Sequence, residues 1–478
     1  MGEKIAVIGG LGTLSGGDLF FKLLKNKRVL KNQLDYHFIF EQQPYSQINL
    51  PLHQEEDIKS RKFYSYNICK NFEQRGITKI LLPCFASHSF LDELQKEIAI
   101  PIVNIFIAIA KYVKTRFPVG TRIGIMTSDY VKQKMMLEKY FSYYELMYPA
   151  EQTKLMEAIY GKYGIKNGYL EGIPLEYINE ICKELISNKC DVILPGITEL
   201  SLLIEPLRRR GIPILDVNQI YADYALENSS GKIERPFKLG ILGGVGPSAT
   251  VDFMNKIIKN TPAKIDQGHI KMVVEQNPQI PDRTANLVNK ETDPTVAMFS
   301  TCKRLEAEGA DTIAIPCNTA HAFVGSIQEH LKIPIINMLT TTAEYIVKRF
   351  GKSTKVGLLA TSGTVQSGVY HDVFIAAGVT VIIPDTIHQQ LVMESIYGEK
   401  GVKAGQINGI CRQQILAVAD HLIGLGAQVI ILGCTELPLL FPSEEQIYID
   451  NRAIQLVDPT EVLAKKIVAM AKNFSNKV

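Results

Sequence analysis

Cys317 and Cys434 lie in the runs Pro316-Cys317-Asn318-Thr319-Ala320-His321 and Gly433-Cys434-Thr435-Glu436-Leu437, each directly behind apolar and β-branched residues. That spacing places two thiols at strand ends. In an open α/β sheet the carboxyl ends of the strands border the ligand crevice, so cysteines 117 positions apart can converge on one substrate. A facing thiol pair can exchange protons. A thiolate suits the base role, because an ordinary cysteine pKa of ~8.5 is easily moved toward neutrality by nearby donors and helix ends.

The composition narrows the setting. At 478 residues the chain exceeds the ~250–300 at which a single core stops growing, so two or more cores are expected. With 46% hydrophobic and 21% charged residues and a net charge of +3, disorder and nucleic-acid binding by bulk electrostatics are excluded. No apolar run approaches the ~18 residues of a membrane helix, and no basic segment followed by an apolar signal core opens the sequence. The expectation is a cytoplasmic protein with no membrane partner. None of the eight cysteines forms a Cys-x-x-Cys pair, which argues against a disulfide scaffold, a zinc ribbon or a thioredoxin-like site. Cysteines 69, 182, 190, 302 and 411 read as small apolar fillers. Nothing calls for a metal or an organic cofactor.

An internal repeat organises the chain. Ala6-Val7-Ile8-Gly9-Gly10-Leu11-Gly12 returns as Gly240-Ile241-Leu242-Gly243-Gly244-Val245-Gly246, and Glu41-Gln42-Gln43-Pro44 as Glu275-Gln276-Asn277-Pro278. Leu82-Pro83-Cys84-Phe85-Ala86-Ser87-His88 matches Ile315 to His321, Ile159-Tyr160-Gly161 matches Ile396-Tyr397-Gly398, and Pro195 to Leu200 matches Leu432 to Leu437. A period this long is a duplicated domain rather than a solenoid repeat of roughly 20–50 residues. The expected domains are 1–230 and 236–478, joined by the polar stretch Glu227 to Pro236.

Within each half, short apolar runs alternate with segments of helical periodicity, the pattern of βα units around a parallel sheet. In the second half strands are expected at Lys238–Gly243, Ile270–Gln276, Thr312–Cys317, Ile333–Asn337, Lys355–Thr361, Thr380–Pro384 and Val429–Gly433. The fold class that follows is α/β: two tandem homologous domains, each of two parallel-sheet, Rossmann-like lobes, split near residues 340–355 in the second half, with the active site in the interlobe crevice. Gly244-Val245-Gly246-Pro247-Ser248-Ala249 fits a dinucleotide fingerprint, with Glu275 as a ribose partner. A tight βα turn needs the same glycines without any cofactor, and a helix N-terminus can equally hold a substrate carboxylate.

Taken together, the Gly-Gly-Val-Gly-Pro opening, the run Asn277 to Arg283, the run Pro316 to His321, Ile396-Tyr397-Gly398 with Lys403, and Gly433 to Glu436 resemble the aspartate/glutamate racemase superfamily, and most closely its aspartate racemase branch. The resemblance implies racemisation without pyridoxal phosphate, one cysteine acting as thiolate and the other as thiol. It casts Cys317 and Cys434 as the two bases. Asn318, Thr319 and Thr435 fall on positions that hold the α-carboxylate as charge develops on it. Arg283 and Lys403 fall on the pair that reads the carboxylates of an acidic substrate, the arginine by its fork and the lysine as a point charge. His321 and Glu436 are candidates for tuning a thiol or moving its proton. For His321 a structural hydrogen bond is the equal alternative, and Asp282 either orients Arg283 or caps a loop.

The first half keeps Cys84, His88, Lys166, Thr198 and Glu199 but has Ile197 in place of the second cysteine and Phe85-Ala86 in place of Asn-Thr. An ungapped alignment sets Asn49 opposite Arg283, so this half is expected to lack the arginine and to have a narrower, more apolar pocket. It reads as a degenerate, mainly structural copy, with ligand sensing or a one-cysteine reaction on an apolar substrate as alternatives. Because members of the superfamily commonly pair as homodimers, the two halves are expected to form an intramolecular pseudo-dimer. The reading for the whole chain is an amino-acid racemase acting on aspartate, possibly glutamate, in its second half. A broad-specificity racemase, a two-cysteine isomerase of maleate or hydantoin type, and a binding or regulatory module without turnover are the alternatives.

Overall fold

The computed structural model describes residues 2–45, 50–52, 55–227, 235–441, 446–449 and 452–475. The chain divides into two compact units, Met1–Arg235 and Pro236–Val478. Most of the polar stretch expected to join them, residues 228–234, lies outside the described residues, as does Asn49.

Each unit is α/β and holds two sheets. In the first unit β1 (Glu3–Ile8), β2 (Tyr36–Glu41), β3 (Lys79–Leu81) and β4 (Ile102–Val103) pair in the order β2-β1-β3-β4. Its second sheet joins β5 (Arg122–Thr127), β6 (Glu145–Met147) and β7 (Val192–Gly196) in the order β6-β5-β7. The second unit repeats this plan with β8 (Lys238–Gly243), β9 (Lys271–Gln276) and β10 (Thr312–Ala314) in the order β10-β8-β9. Its second sheet takes β11 (Lys355–Leu359), β12 (Thr380–Ile382), β13 (Val429–Leu432), β14 (Gln446–Ile449) and β15 (Arg452–Val457) in the order β12-β11-β13-β15-β14. All pairings are parallel except β14 with β15. The central strands are buried on both faces and read as near-continuous apolar runs, as β8 and β13 do.

Two differences from the expected strands have local causes. The segment Ile333–Asn337 keeps only a single bridge, Ile313 to Ile335. Pro334 has no N–H for a ladder, and Asn337 turns away to cap the helix Met338–Phe350, its Oδ1 accepting from the N–H of Leu339 at 2.9 Å and of Thr340 at 3.1 Å. The hairpin β14–β15 was not expected at all, because its exposed Gln446, Tyr448, Arg452 and Ala453 break the apolar run that marked the other strands.

The lobes are not consecutive along the chain. The final helix, Pro459–Ser475, returns to the first lobe of its unit, where Leu463, Ala464 and Ile467 complete a core with Leu239, Ile241, Phe253 and Ile257. In the first unit the helix Val217–Glu227 does the same, and its buried Tyr221 accepts from the Leu82 N–H at 3.1 Å while donating to the Val103 carbonyl at 2.6 Å. Both returning helices are tied by a lysine between two aspartates: Lys22 with Asp18 and Asp216, and Lys256 with Asp252 and Asp458. Among the described residues no helix is long and apolar enough to cross a membrane.

Candidate active site

In the second unit, proline and glycine end the strands where the thiols must leave the sheet. β10 stops at Ala314, and after Pro316 the Cys317 N–H turns back to the Ile315 carbonyl at 2.8 Å. Beyond β13, a Cβ at Gly433 would stand 3.0 Å from Ala360 Cβ and 3.1 Å from the Leu359 carbonyl oxygen, so glycine relieves a tight passage to Cys434. Cys317 comes from the first lobe and Cys434 from the second, and both are buried in the wall of one interlobe cavity of about 280 Å³.

Arg283, Asn318, Thr319, Lys403, Thr435 and Glu436 line the same cavity, as the sequence led us to expect. Val245 and Tyr397, quoted above only as parts of motifs, line it too, as do Thr284 and Thr361, which the sequence did not mark. The lobes meet closely here: a Cβ at Gly363 would lie 2.8 Å from Thr284 Cα. The hydroxyl of Thr319 is within 3.1 Å of Thr361 Oγ1 and 2.8 Å of Thr364 Oγ1, which bridges the crevice with hydrogen bonds.

Asn318 is oriented by a residue with no sequence signal. The buried Tyr370 O–H donates to Asn318 Oδ1 at 2.6 Å, which leaves the amide Nδ2 as a buried donor without a partner among the described residues. Arg283 gives Nη1 to the carbonyls of Ile280 (3.3 Å) and Pro281 (3.1 Å), while its buried Nε is likewise unpartnered. Burial opposes the Arg283 charge, yet Cys317 and Asp282 beside it hold its pKa above the ordinary value. Asp282 is the cap of the helix Arg283–Asn289, its Oδ1 accepting from the Ala285 N–H at 2.8 Å.

The other thiol meets the opposite field. Cys434 Sγ donates to Glu436 Oε2 at 3.0 Å, and burial first, then the Glu436 charge, push its pKa well above the usual range. Lys403 Nζ lies 3.6 Å from Glu436 Oε1 and 4.8 Å from the centroid of the Tyr397 ring. Burial disfavours its charge, but Glu436 overrides that and raises the Lys403 pKa. One cysteine thus faces a guanidinium and the other a carboxylate.

The glycine turn that fits the dinucleotide pattern has a packing role in this arrangement. Gly244 (φ +87°) passes so close to the Asn277 backbone that a Cβ would lie 2.3 Å from its carbonyl carbon, and a Cβ on Gly246 (φ +132°) would lie 2.5 Å from Glu436 Oε1. Glu275, the ribose partner of that pattern, is instead bound by Arg304 Nε at 2.8 Å.

His321 is not placed to carry protons. Its Nε2 accepts from the Met338 N–H at 3.1 Å, so Nδ1 carries the proton and donates to the Cys317 carbonyl at 2.8 Å. His88 makes the same two bonds, to the Cys84 carbonyl (3.0 Å) and from the Ile105 N–H (3.1 Å). Burial lowers the pKa of each to about 4. Each histidine is neutral when folded and titrates near 6.5 when unfolded, so its contribution to stability is complete above that pH and lost as the pH falls toward about 4. The loss amounts to about 3 kcal/mol per histidine at about 1.4 kcal/mol per pKa unit. Calorimetric unfolding temperatures should therefore fall steeply between pH 6.5 and 4.5, and an unchanged slope in a His88→Gln/His321→Gln double variant would refute this account.

The first unit forms a corresponding cavity, and two expectations about it are corrected. Cys84, Lys166, Thr198 and Glu199 line it, but so does Arg61, which supplies the arginine thought to be missing. It projects from the helix Glu55–Gln74, in the stretch that aligns with Thr295–Ala307, instead of from the start of the helix that carries Arg283. The cavity is also not narrower: it measures about 410 Å³.

The family model for Asp/Glu/Hydantoin racemase matches the chain twice, over residues 8–225 and 242–467. The chain is 29% identical over 238 residues, 48% of its own length, to the broad specificity amino-acid racemase RacX of Bacillus subtilis, 96% of which is covered. To a glutamate racemase of Corynebacterium diphtheriae it is 29% identical over 168 residues, which span 34% of this chain and 59% of that protein. The solved aspartate racemase of Picrophilus torridus matches at 33% identity and a TM-score of 0.43, covering 49% of this chain and 94% of that one. With both halves matched by one family model, the chain belongs to the Asp/Glu/Hydantoin racemase family and carries its domain in tandem.

Proposed function

We propose that the second unit racemises a small acidic amino acid, aspartate first and glutamate second, by proton exchange at Cα between Cys317 and Cys434 and without pyridoxal phosphate. The family match supports an amino-acid racemase. The observation that carries the finer reading is that one interlobe cavity is lined by two thiols in opposite electrostatic settings and by Asn318 and Arg283, whose buried Nδ2 and Nε have no partner among the described residues.

In one direction the Cys317 thiolate, beside Arg283, takes the Cα proton. The electron pair moves into the α-carboxylate, where Asn318, Thr319 and Thr435 receive the developing charge. Cys434 then gives its S–H proton to the opposite face of Cα. That turnover leaves Cys317 as the thiol and Cys434 as the thiolate, so in the reverse direction Cys434 takes the Cα proton and Cys317 returns the one it holds to the opposite face. Arg283 and Lys403 hold the second carboxylate of the substrate. A cytoplasmic setting belongs to the same proposal, since all eight cysteines are free thiols and persist most readily in a reducing compartment. So does pairing of the two halves as a covalent pseudo-dimer, on the strength of their common family match.

A broad-specificity racemase is the second reading, favoured by the similarity to RacX over nearly that whole protein. Incubation of the full chain with L-aspartate, L-glutamate and a panel of neutral L-amino acids in deuterated water separates the two. Cα deuterium should appear together with loss of optical rotation for the acidic pair. Equal rates across the panel would favour the second reading, and no exchange with any member would leave a binding module.

A further inference from the structure

The pocket of the first unit is built, not abandoned. Arg61, 6% exposed, donates from Nη1 to Cys84 Sγ at 3.2 Å, and Ser87 Oγ donates to the same sulfur at 3.1 Å. Arg61 Nε is buried in the same wall and has no partner among the described residues. A buried guanidinium N–H left unpaired is costly, so such a group calls for an acceptor. Burial opposes the Arg61 charge, but Cys84 and neighbouring tyrosines keep its pKa raised. Lys166 pairs with Glu199 and lies 5.5 Å from the Tyr160 ring, repeating the set formed by Lys403, Glu436 and Tyr397.

The rest of the wall has changed character. Where the second unit presents Asn318, Thr319 and Cys434, the first presents Phe85, Ala86 and Ile197, and Leu11 and Leu52 extend the apolar surface. The cavity is therefore apolar along Phe85, Ala86, Ile197, Leu11 and Leu52, and polar where Arg61 and the paired Lys166 and Glu199 stand. Phe85, Leu52 and Ile197 offer apolar contact to a side chain that needs no polar partner.

We propose that the first unit is a separate ligand site that binds a small monocarboxylate with an apolar side chain. The carboxylate is taken by Arg61, whose free Nε supplies a charge-assisted hydrogen bond, and the side chain lies against Phe85, Leu52 and Ile197. With Ile197 where the second thiol would stand, the site lacks the second proton carrier that inversion at Cα requires.

Cys84, which is only partly buried, reports on occupancy of this site. Iodoacetamide alkylates it by attack of sulfur on the methylene carbon, a C–S bond forming as iodide leaves and any thiol proton passes to buffer. In the native full chain, peptide mapping should find Cys84 alkylated while Cys69, Cys182 and Cys302, buried and raised to about 12, are spared. 3-Methylbutanoate should slow alkylation of Cys84 by about tenfold or more, the scale of one hydrogen bond to a charged group. The neutral 3-methylbutanamide should not. Arg61→Gln should remove the protection, and Ile197→Asn, which leaves the arginine in place, should weaken it. Failure of Cys84 to react in the native chain, no protection by the carboxylate, or equal protection by the amide would each overturn the proposal.

Discussion

Replacing Cys317 or Cys434 by serine is expected to lower racemisation of aspartate by about 10²–10⁴-fold, the range that a positioned general acid or base contributes. A serine hydroxyl keeps the size but scarcely ionises near neutral pH, so it cannot act as the base and is a poor proton donor. The two variants should differ in what survives. In Cys434→Ser, Cys317 still meets one face of Cα, so the enantiomer it deprotonates should exchange deuterium without inverting. Cys317→Ser should show the same behaviour for the other enantiomer. Measuring Cα deuterium and optical rotation together for both enantiomers tests this, and full racemisation after loss of both thiols would end the two-base reading. Loss of racemisation on Cys84→Ser alone would instead move catalysis to the first unit.

The second large effect is expected at Arg283. Arg283→Lys should reduce kcat/KM for aspartate by about 10²-fold or more, the equivalent of about 3 kcal/mol for a lost charge-assisted pair. The guanidinium is anchored through Nη1 on the Ile280 and Pro281 carbonyls, which leaves Nε without a partner among the described residues. A lysine keeps the charge and loses the fork, so the substitution is not conservative at such a site. Two readouts separate its roles. Loss of side-chain carboxylate recognition should raise KM for aspartate and narrow its advantage over alanine, whereas loss of the charge beside Cys317 should lower kcat for both. An unchanged ratio of kcat/KM for aspartate over alanine would remove Arg283 from substrate recognition.

Much of the site was legible because it rests on local signals. Strand-end prolines and glycines mark where Cys317 and Cys434 leave their sheets, and their flanking residues Asn318, Thr319, Thr435 and Glu436 travel with them. Tyr370 was not legible: it reaches Asn318 from the helix Val369–Ala376, 52 positions away, and nothing in its own neighbourhood marks it. The same holds for Thr361 and Thr364, whose bonds to Thr319 exist only because the lobes close. His321 was equally open to a structural or a chemical role until both of its nitrogens were seen engaged with backbone.

The sequence by itself determined the duplication, the α/β class and the loss of a second thiol at Ile197, since each is carried by residue identity at a repeated local position. Only the tertiary structure decided whether the first unit kept a charged pocket. An arginine is long enough to bring its guanidinium to one point from quite different Cα positions. Arg61 therefore replaces Arg283 from the next helix, where a position-by-position comparison finds no match.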